Sequence, residues 1–277
     1  KELQAFIQRF SANKSKSKQA TSRKKILDSI TLEEMPASSR KYPYVGFEPE
    51  REAGKDILFV EGITKTVDGV KVLDNVSFIA NKGDKIALVG ENEAGQTALF
   101  KILTGEMEPD AGSFKWGVST SQSYFPQDNS AFFEGFDEDL ICWLRQYSED
   151  TTETYLRGFL GRMLFSGDEV YKPAKVLSGG EKVRCMLSRM MMTHANVLLL
   201  DQPTNHLDLE SIQALADGLA RFPGNLLFSS HDHQLITHDR HLIRGIANRI
   251  IELPLGQPGC LDRTGTYEEF LEWKHNR

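Results

Sequence analysis

The stretch VGENEAGQTALFK (residues 89–101) nearly spells a phosphate-binding loop. The pattern G-x-x-x-x-G-K-[ST] uses glycines so that backbone N–H groups cradle phosphates, a lysine for their charge and a hydroxyl for Mg²⁺. Gly90, Gly95 and Thr97 stand where the pattern needs them, and Asn92, Ala94 and Ala98 complete the loop. Gln96 takes the lysine position, and Glu93 adds an acid. Alone the loop is a weak signal, but four later stretches strengthen it. YFPQD supplies Gln127 after a strand-like segment. LSGGEK (177–182) opens a helix: Ser178 and Glu181 have capping-box spacing, and Gly179 and Gly180 let backbone approach a phosphate. NVLLLDQPTNHLD (196–208) sets Asp201 at a strand end, where a carboxylate can hold Mg²⁺. SSHD puts His231 at the end of the next strand.

These residues need elements to position them. ILFVEGI and VKVLDNVSFIA read as strands, the second following an Asp68-Gly69 turn. KIALVG reads as a buried strand running into the loop, and TALFKILTG as the helix after it, stopped at Gly105. Residues of about 134–193 have helical periodicity. NVLLLD and NLLFSS read as short strands with unbroken apolar centres, as in a sheet covered on both faces. Strands alternating with helices predict an α/β sheet with ligands at the carboxyl ends of its strands.

The bulk composition is that of a globular chain of 277 residues, with 40% apolar and 26% charged side chains. No apolar run approaches the roughly 20 residues that span a bilayer. The first residues lack the apolar core of a signal peptide. Cys142, Cys185 and Cys260 are far apart, which predicts unpaired thiols. Residues 1–25 hold eight Lys/Arg against one acid, a net of +7, which leaves −13 on the remainder of a chain totalling −6. That basic arm (Lys1, Arg9, Lys14, Lys16, Lys18, Arg23, Lys24, Lys25) suggests a polyanionic partner such as nucleic acid. Its apolar spacing reads as a long helix or helical hairpin, closed by the Pro-, Gly- and Ser-rich MPASSRKYPYVGFEPEREAGKD. The chain opens on Lys within a helical pattern, so a longer parent protein is expected.

The ordered set of loop, Gln127, LSGGE, Asp201 and His231 resembles the ATP-binding cassette (ABC) family over about residues 57–254. LSGGEKVR and TNHLD look like the ABC-F subfamily of soluble twin-cassette ATPases. The tail GTYEEFLEWK and the basic RFSANKSKSKQA helix resemble that group's second cassette and interdomain linker. The resemblance implies a P-loop α/β fold with a mixed sheet, a small antiparallel β subdomain and a helical signature subdomain, preceded by a basic linker helix. It implies a linker at 1–54, a cassette at 55–254 with its helical subdomain at about 134–193, and a tail at 255–277. ATP and Mg²⁺ are the implied cofactors. Two cassettes would pair head to tail, here with an N-terminal cassette of the same protein.

The resemblance also assigns roles. Gly90, Asn92, Ala94, Gly95, Gln96, Thr97 and Ala98 would line the phosphates, with Thr97, Gln127 and Asp201 at Mg²⁺ and His231 at the γ-phosphate. Ser178, Gly179, Gly180 and Glu181 would complete the partner's site, and Asp208 would couple the two. ABC-F proteins act on the ribosome near the tRNA exit site, so 23S rRNA and P-site tRNA are the implied partners of Arg9, Lys14, Lys16, Lys18, Arg23, Lys24 and Lys25. The setting would be cytoplasmic, without a membrane partner, as a translation factor or in antibiotic resistance. The ATPase subunit of a membrane transporter and a nucleotide-independent RNA-binding scaffold are the alternatives.

The chain departs from the family pattern at five positions. Gln96 removes the fixed positive charge at the phosphates. Glu93 replaces a usual glycine and either adds negative charge there or points to solvent. Ala98 lacks a hydroxyl, and Val67 stands where an aromatic often stacks on adenine. Losing a charge-assisted contact costs about 1.5–3 kcal/mol, and a lost base–aromatic stack about 1–3 kcal/mol. The sum is two to four decades of affinity, roughly. Lys101 and Lys82 are neighbouring cations that could compensate. Gln202 stands where the family has the glutamate that polarises water, and an amide is a far poorer proton acceptor. The expectation is asymmetry: a weakened loop beside an intact signature helix.

Overall fold

The computed structural model describes residues 42–230 and 243–276. The basic arm, with Arg9, Lys14, Lys16, Lys18, Arg23, Lys24 and Lys25, lies outside the described residues, as does His231.

A hairpin of β1 (Asp56–Val67) and β2 (Val70–Asn81) turns at Asp68 and Gly69, with φ of 50° and 80°. Two successive positive φ angles are what a type I′ turn requires, and Asp-Gly meets that at low cost. β1 also pairs with β4 (Ala111–Trp116), giving an antiparallel three-stranded sheet in the order β2-β1-β4. Buried and exposed residues alternate along the second half of β2, so one face of this sheet is covered.

The second sheet has the order β5-β6-β7-β3-β8-β9. Its strands are β3 (Lys85–Val89), β5 (Gln122–Phe125), β6 (Val197–Leu200), β7 (Asn225–Ser229), β8 (Arg249–Glu252) and β9 (Leu261–Thr264). All neighbours run parallel except β8 and β9. Every residue of β6 and β7 is buried, because both faces are covered. Alternation then sorts the side chains. Val89, Leu198, Leu200, Leu226 and Phe228 join the helical layer. Leu88, Leu199, Leu227 and Ile251 pack with the hairpin and α1 (Glu93–Leu103).

The helical layer contains α2 (Leu140–Arg145), α3 (Glu153–Arg162) and α4 (Gly179–Met192). Fully buried Trp143 centres it, stacked on Phe133 at 4.8 Å and donating its Nε1–H to the Phe132 carbonyl at 2.7 Å. The run Met190–Met192 is buried in the same core. The α/β fold expected from the sequence, with its mixed sheet and small antiparallel sheet, is the one observed.

Segments on both sides of residues 55–254 take part in the packing. Val45 and Phe47 are buried in the core of the helical layer, Phe47 edge-on to Phe222 at 6.1 Å. Residues 255–277, expected as a tail, supply β9 to the main sheet and α6 (Tyr267–His275) to its cover. α5 (Leu209–Arg221) precedes β7. The LDRT of β9 has no apolar run to reveal it. It is fixed by backbone pairing and by the Arg249 fork on Asp262, at 2.8 and 2.6 Å.

Candidate functional site

The site is built where β3, β6 and β7 end. Beyond Val89 the chain turns at Gly90, whose φ of +109° is a region that favours glycine. Asn92 then caps α1: its Oδ1 accepts from the Gly95 N–H at 3.0 Å. The Asn92 Nδ2 donates to the Val72 carbonyl at 2.7 Å, tying the loop to β2. Gly95 is needed here, since a Cβ would lie 2.4 Å from that amide nitrogen and 2.7 Å from the Val72 carbonyl oxygen. The result is a helix N-terminus with free-running loop backbone ahead of it, the standard setting for an anion.

Gln96 turns inward. It is fully buried, its Nε2 donates to the Gly90 carbonyl at 3.1 Å, and among the described residues its Oε1 has no hydrogen-bond partner. The side chain at the lysine position therefore braces the loop internally and carries no charge. Glu93 and Ala94 are exposed in the first turn of α1, whereas Ala98 is buried. Val67 ends β1 packed against the hairpin core.

Thr97 and Asp201 meet across the sheet. The Thr97 Oγ1 donates to Asp201 Oδ2 at 2.7 Å, and the Ser229 hydroxyl donates to Asp201 Oδ1 at 2.7 Å. The Gln127 Oε1 lies 3.4 Å from Thr97 Oγ1. Three hard oxygen donors thus converge, a set that suits Mg²⁺. Gln202 is buried, has φ of +50° and receives at its Oε1 the Nε2–H of Gln127 at 2.7 Å and the Nδ2–H of Asn205 at 3.1 Å. Among the described residues its Nε2 has no partner. Its backbone N–H donates to Ser229 Oγ at 2.9 Å. A non-glycine residue held in the left-handed region costs of order 1–3 kcal/mol and tends to mark functional positions.

Hydrogen bonds join Gly90, Asn92, Gly95 and Gln96 within the loop, and join Thr97, Asp201, Gln127 and Gln202 into a network beside it. Ser178, Gly179, Gly180 and Glu181 form a second group at the start of α4. Both halves of the capping box are present: the Glu181 carboxylate receives the Ser178 N–H at 2.8 Å, and Ser178 Oγ receives the Glu181 N–H. Lys172 adds a bond to Glu181 at 3.1 Å. Burial opposes the Glu181 carboxylate, but these donors outweigh it and hold its pKa below the ordinary value. His206, with φ of +65°, rests on the two glycines: a Cβ on Gly179 would meet its Cβ at 3.2 Å, and one on Gly180 its carbonyl oxygen at 3.1 Å. Asp208 caps α5 through the Ser211 N–H at 2.8 Å, and the Ser211 hydroxyl, with that N–H, lowers its pKa against the cost of burial.

Sequence reasoning missed Ser229, which holds Asp201 and Gln202 in register. Its only signal is a hydroxyl at the end of an otherwise apolar strand. Asn205 lies within TNHLD, but its bond to Gln202 depends on the tight turn at 202–206.

Residues 73–205 match the family model described as ABC transporter, and residues 1–47 match a second model with that description. The chain is 64% identical over 273 residues to the ABC transporter ATP-binding protein YkpA of Bacillus subtilis (strain 168), covering 98% of this chain and 49% of that protein. It is 41% identical to the ATP-binding protein YbiT of Escherichia coli O157:H7, covering 99% and 50%. It is 29% identical to ABC transporter F family member 5 of Arabidopsis thaliana, covering 96% and 37%. The chain spans about half the length of the first two relatives or less of the third. A solved structure described as an inward-facing metal-chelate type ABC transporter shares the fold, with a TM-score of 0.57 at 20% identity over 76% of this chain and 83% of that one. Among the described residues no helix is long and apolar enough to cross a membrane. Fold and family matches agree: the chain belongs to the ABC family and carries its ATP-binding cassette.

Proposed function

We propose that the chain is one cassette of an ABC-F type ATPase that acts on the ribosome. It offers an intact signature helix to a partner cassette, while its own ATP half-site is weakened. The observation that carries this reading is the span of the likeness to the F family member, which takes in 96% of the chain and so most of the basic arm as well as the cassette. A net of +7 over residues 1–25 suits a phosphate backbone, with 23S rRNA and P-site tRNA as the candidate partners.

At the cassette, loop N–H groups from Gly90 to Thr97 would hold the ATP phosphates. Thr97, Asp201 and Gln127 would hold Mg²⁺, which neutralises phosphate charge when bound. Gln96 supplies no charge to the phosphates, and Gln202 holds water without taking its proton. Turnover would then fall mainly to the composite site that Ser178, Gly179 and Gly180 complete on the partner, and the whole would work in the cytoplasm.

Ribosome pelleting with and without Mg-ATP tests this. Co-sedimentation that depends on ATP and is lost when the arm's lysines and arginines are neutralised is the expected result. Sedimentation indifferent to ATP would replace the reading with a nucleotide-independent scaffold, favoured by the pair Gln96 and Gln202. No sedimentation would favour a membrane transporter's ATPase subunit.

A further inference from the structure

The last turn of α6 brings Lys274 to Glu252, and Glu252 lies directly under the first glycine of the phosphate loop. β8 runs parallel to β3, with Glu252 opposite Val89, so the strand ends side by side with the loop's start. A Cβ built on Gly90 would lie 2.9 Å from Glu252 Cγ and 3.4 Å from its Oε1. The Glu252 side chain is only 14% exposed. Lys274 Nζ bridges both carboxylate oxygens, at 2.8 and 2.7 Å.

A carboxylate packed against a loop that receives phosphates opposes their binding by like-charge repulsion, which is strong where water is scarce. The loop has no lysine of its own to offset it. Lys82 is held by Glu52 at 2.9 Å, and Lys101 lies at the far end of α1 with its charge bearing on Asp128. Lys274 is instead delivered by a helix anchored independently. Tyr267 and Phe270 are buried, and Thr266 and Glu269 form a capping box.

We infer that Lys274 is a positioning residue of the nucleotide site, neutralising Glu252 beneath Gly90 so that the charge-deficient loop can accept a polyphosphate. The C-terminal helix is thereby a working part of that site, and undocking it weakens nucleotide binding. This rests on the nucleotide-site reading given above.

Titration calorimetry with Mg-ATP on the full 277-residue chain tests it, in the native sequence and in a Gln96→Lys background. Lys274→Gln should weaken binding at least fivefold. Glu252→Gln should bind as well as or better than the parent, and Lys274→Gln combined with Glu252→Gln should lie within twofold of Glu252→Gln alone. The exchange Glu252→Lys with Lys274→Glu keeps the bridge but puts the ammonium beneath Gly90. It should bind more tightly than the parent, whereas a merely structural bridge would leave affinity unchanged. Lys274→Gln equal to the parent, or an exchange variant no tighter than the parent, would overturn the inference. If neither parent binds Mg-ATP at all, the nucleotide-site reading itself falls and this inference with it.

Discussion

Thr97 and Asp201 are 104 residues apart in sequence and 2.7 Å apart in space, oxygen to oxygen. The contact exists because β3 and β6 both flank β7 in the sheet and end at the same edge. It brings the first turn of α1 to the strand-end carboxylate. Nucleotide binding should therefore depend on Mg²⁺ through these two residues. Thr97→Val and Asp201→Asn are each expected to reduce the gain in ATP affinity on adding Mg²⁺ by about tenfold, in line with the loss of a charge-assisted contact. ATP titrations in Mg²⁺ and in EDTA measure that gain.

Gln202 is set up to accept a carboxylate. Gln127 and Asn205 already donate to its Oε1, and among the described residues its Nε2 has no partner. Gln202→Glu replaces that idle donor with a second acceptor that can take a proton from water. General-base contributions are typically about 10²–10⁴-fold. Single-turnover ATP hydrolysis, with the partner cassette present, should rise by at least the lower end of that range.

The start of α4 depends on its cap. Ser178→Ala removes the hydroxyl and leaves the Glu181 N–H without its side-chain acceptor, at a cost of about 1 kcal/mol. Because the Glu181 pKa is lowered on folding, its contribution is complete above the unfolded value, about 4.3, and is lost as pH falls through the folded one. Urea melts of the parent should show that loss as the pH drops below that range, while the part of the Ser178→Ala deficit due to the Glu181 N–H persists.

Residues 42–47 are a stabilising strap. Phe47 is 5% exposed and packs on Phe222, and a Cβ on Gly218 would lie 2.7 Å from the Val45 carbonyl oxygen. Phe47→Ala should cost about 3–5 kcal/mol. Gly218→Ala must displace the strap's backbone and should also destabilise. Denaturant midpoints of the two variants check both.

Much of the site could be read from the sequence, because motif spacing dictates local geometry. Gly90, Gly95 and Thr97 bend one loop into one helix start, and Ser178 and Glu181 cap another. The buried strands were equally legible, since VLLL is apolar throughout and NLLFS at all but its two ends. Pairing order was not legible. Ser229 reaches Asp201 only because β7 lies beside β6, and Glu252 reaches Gly90 only because β8 lies beside β3. Long-range strand adjacency leaves no local pattern. β9 hides for another reason: backbone pairing and an Arg249–Asp262 fork hold it, with Leu261 as its single apolar side chain on the core.

The proposed weakness of the nucleotide half-site rests on Gln96 in its loop. Calorimetric titration of Mg-ATP into the chain and into Gln96→Lys measures it. Weak binding by the native chain and a gain of about 10–100-fold in the variant, the worth of one charge-assisted contact, are expected. Tight binding by the native chain, unchanged by Gln96→Lys, would contradict it.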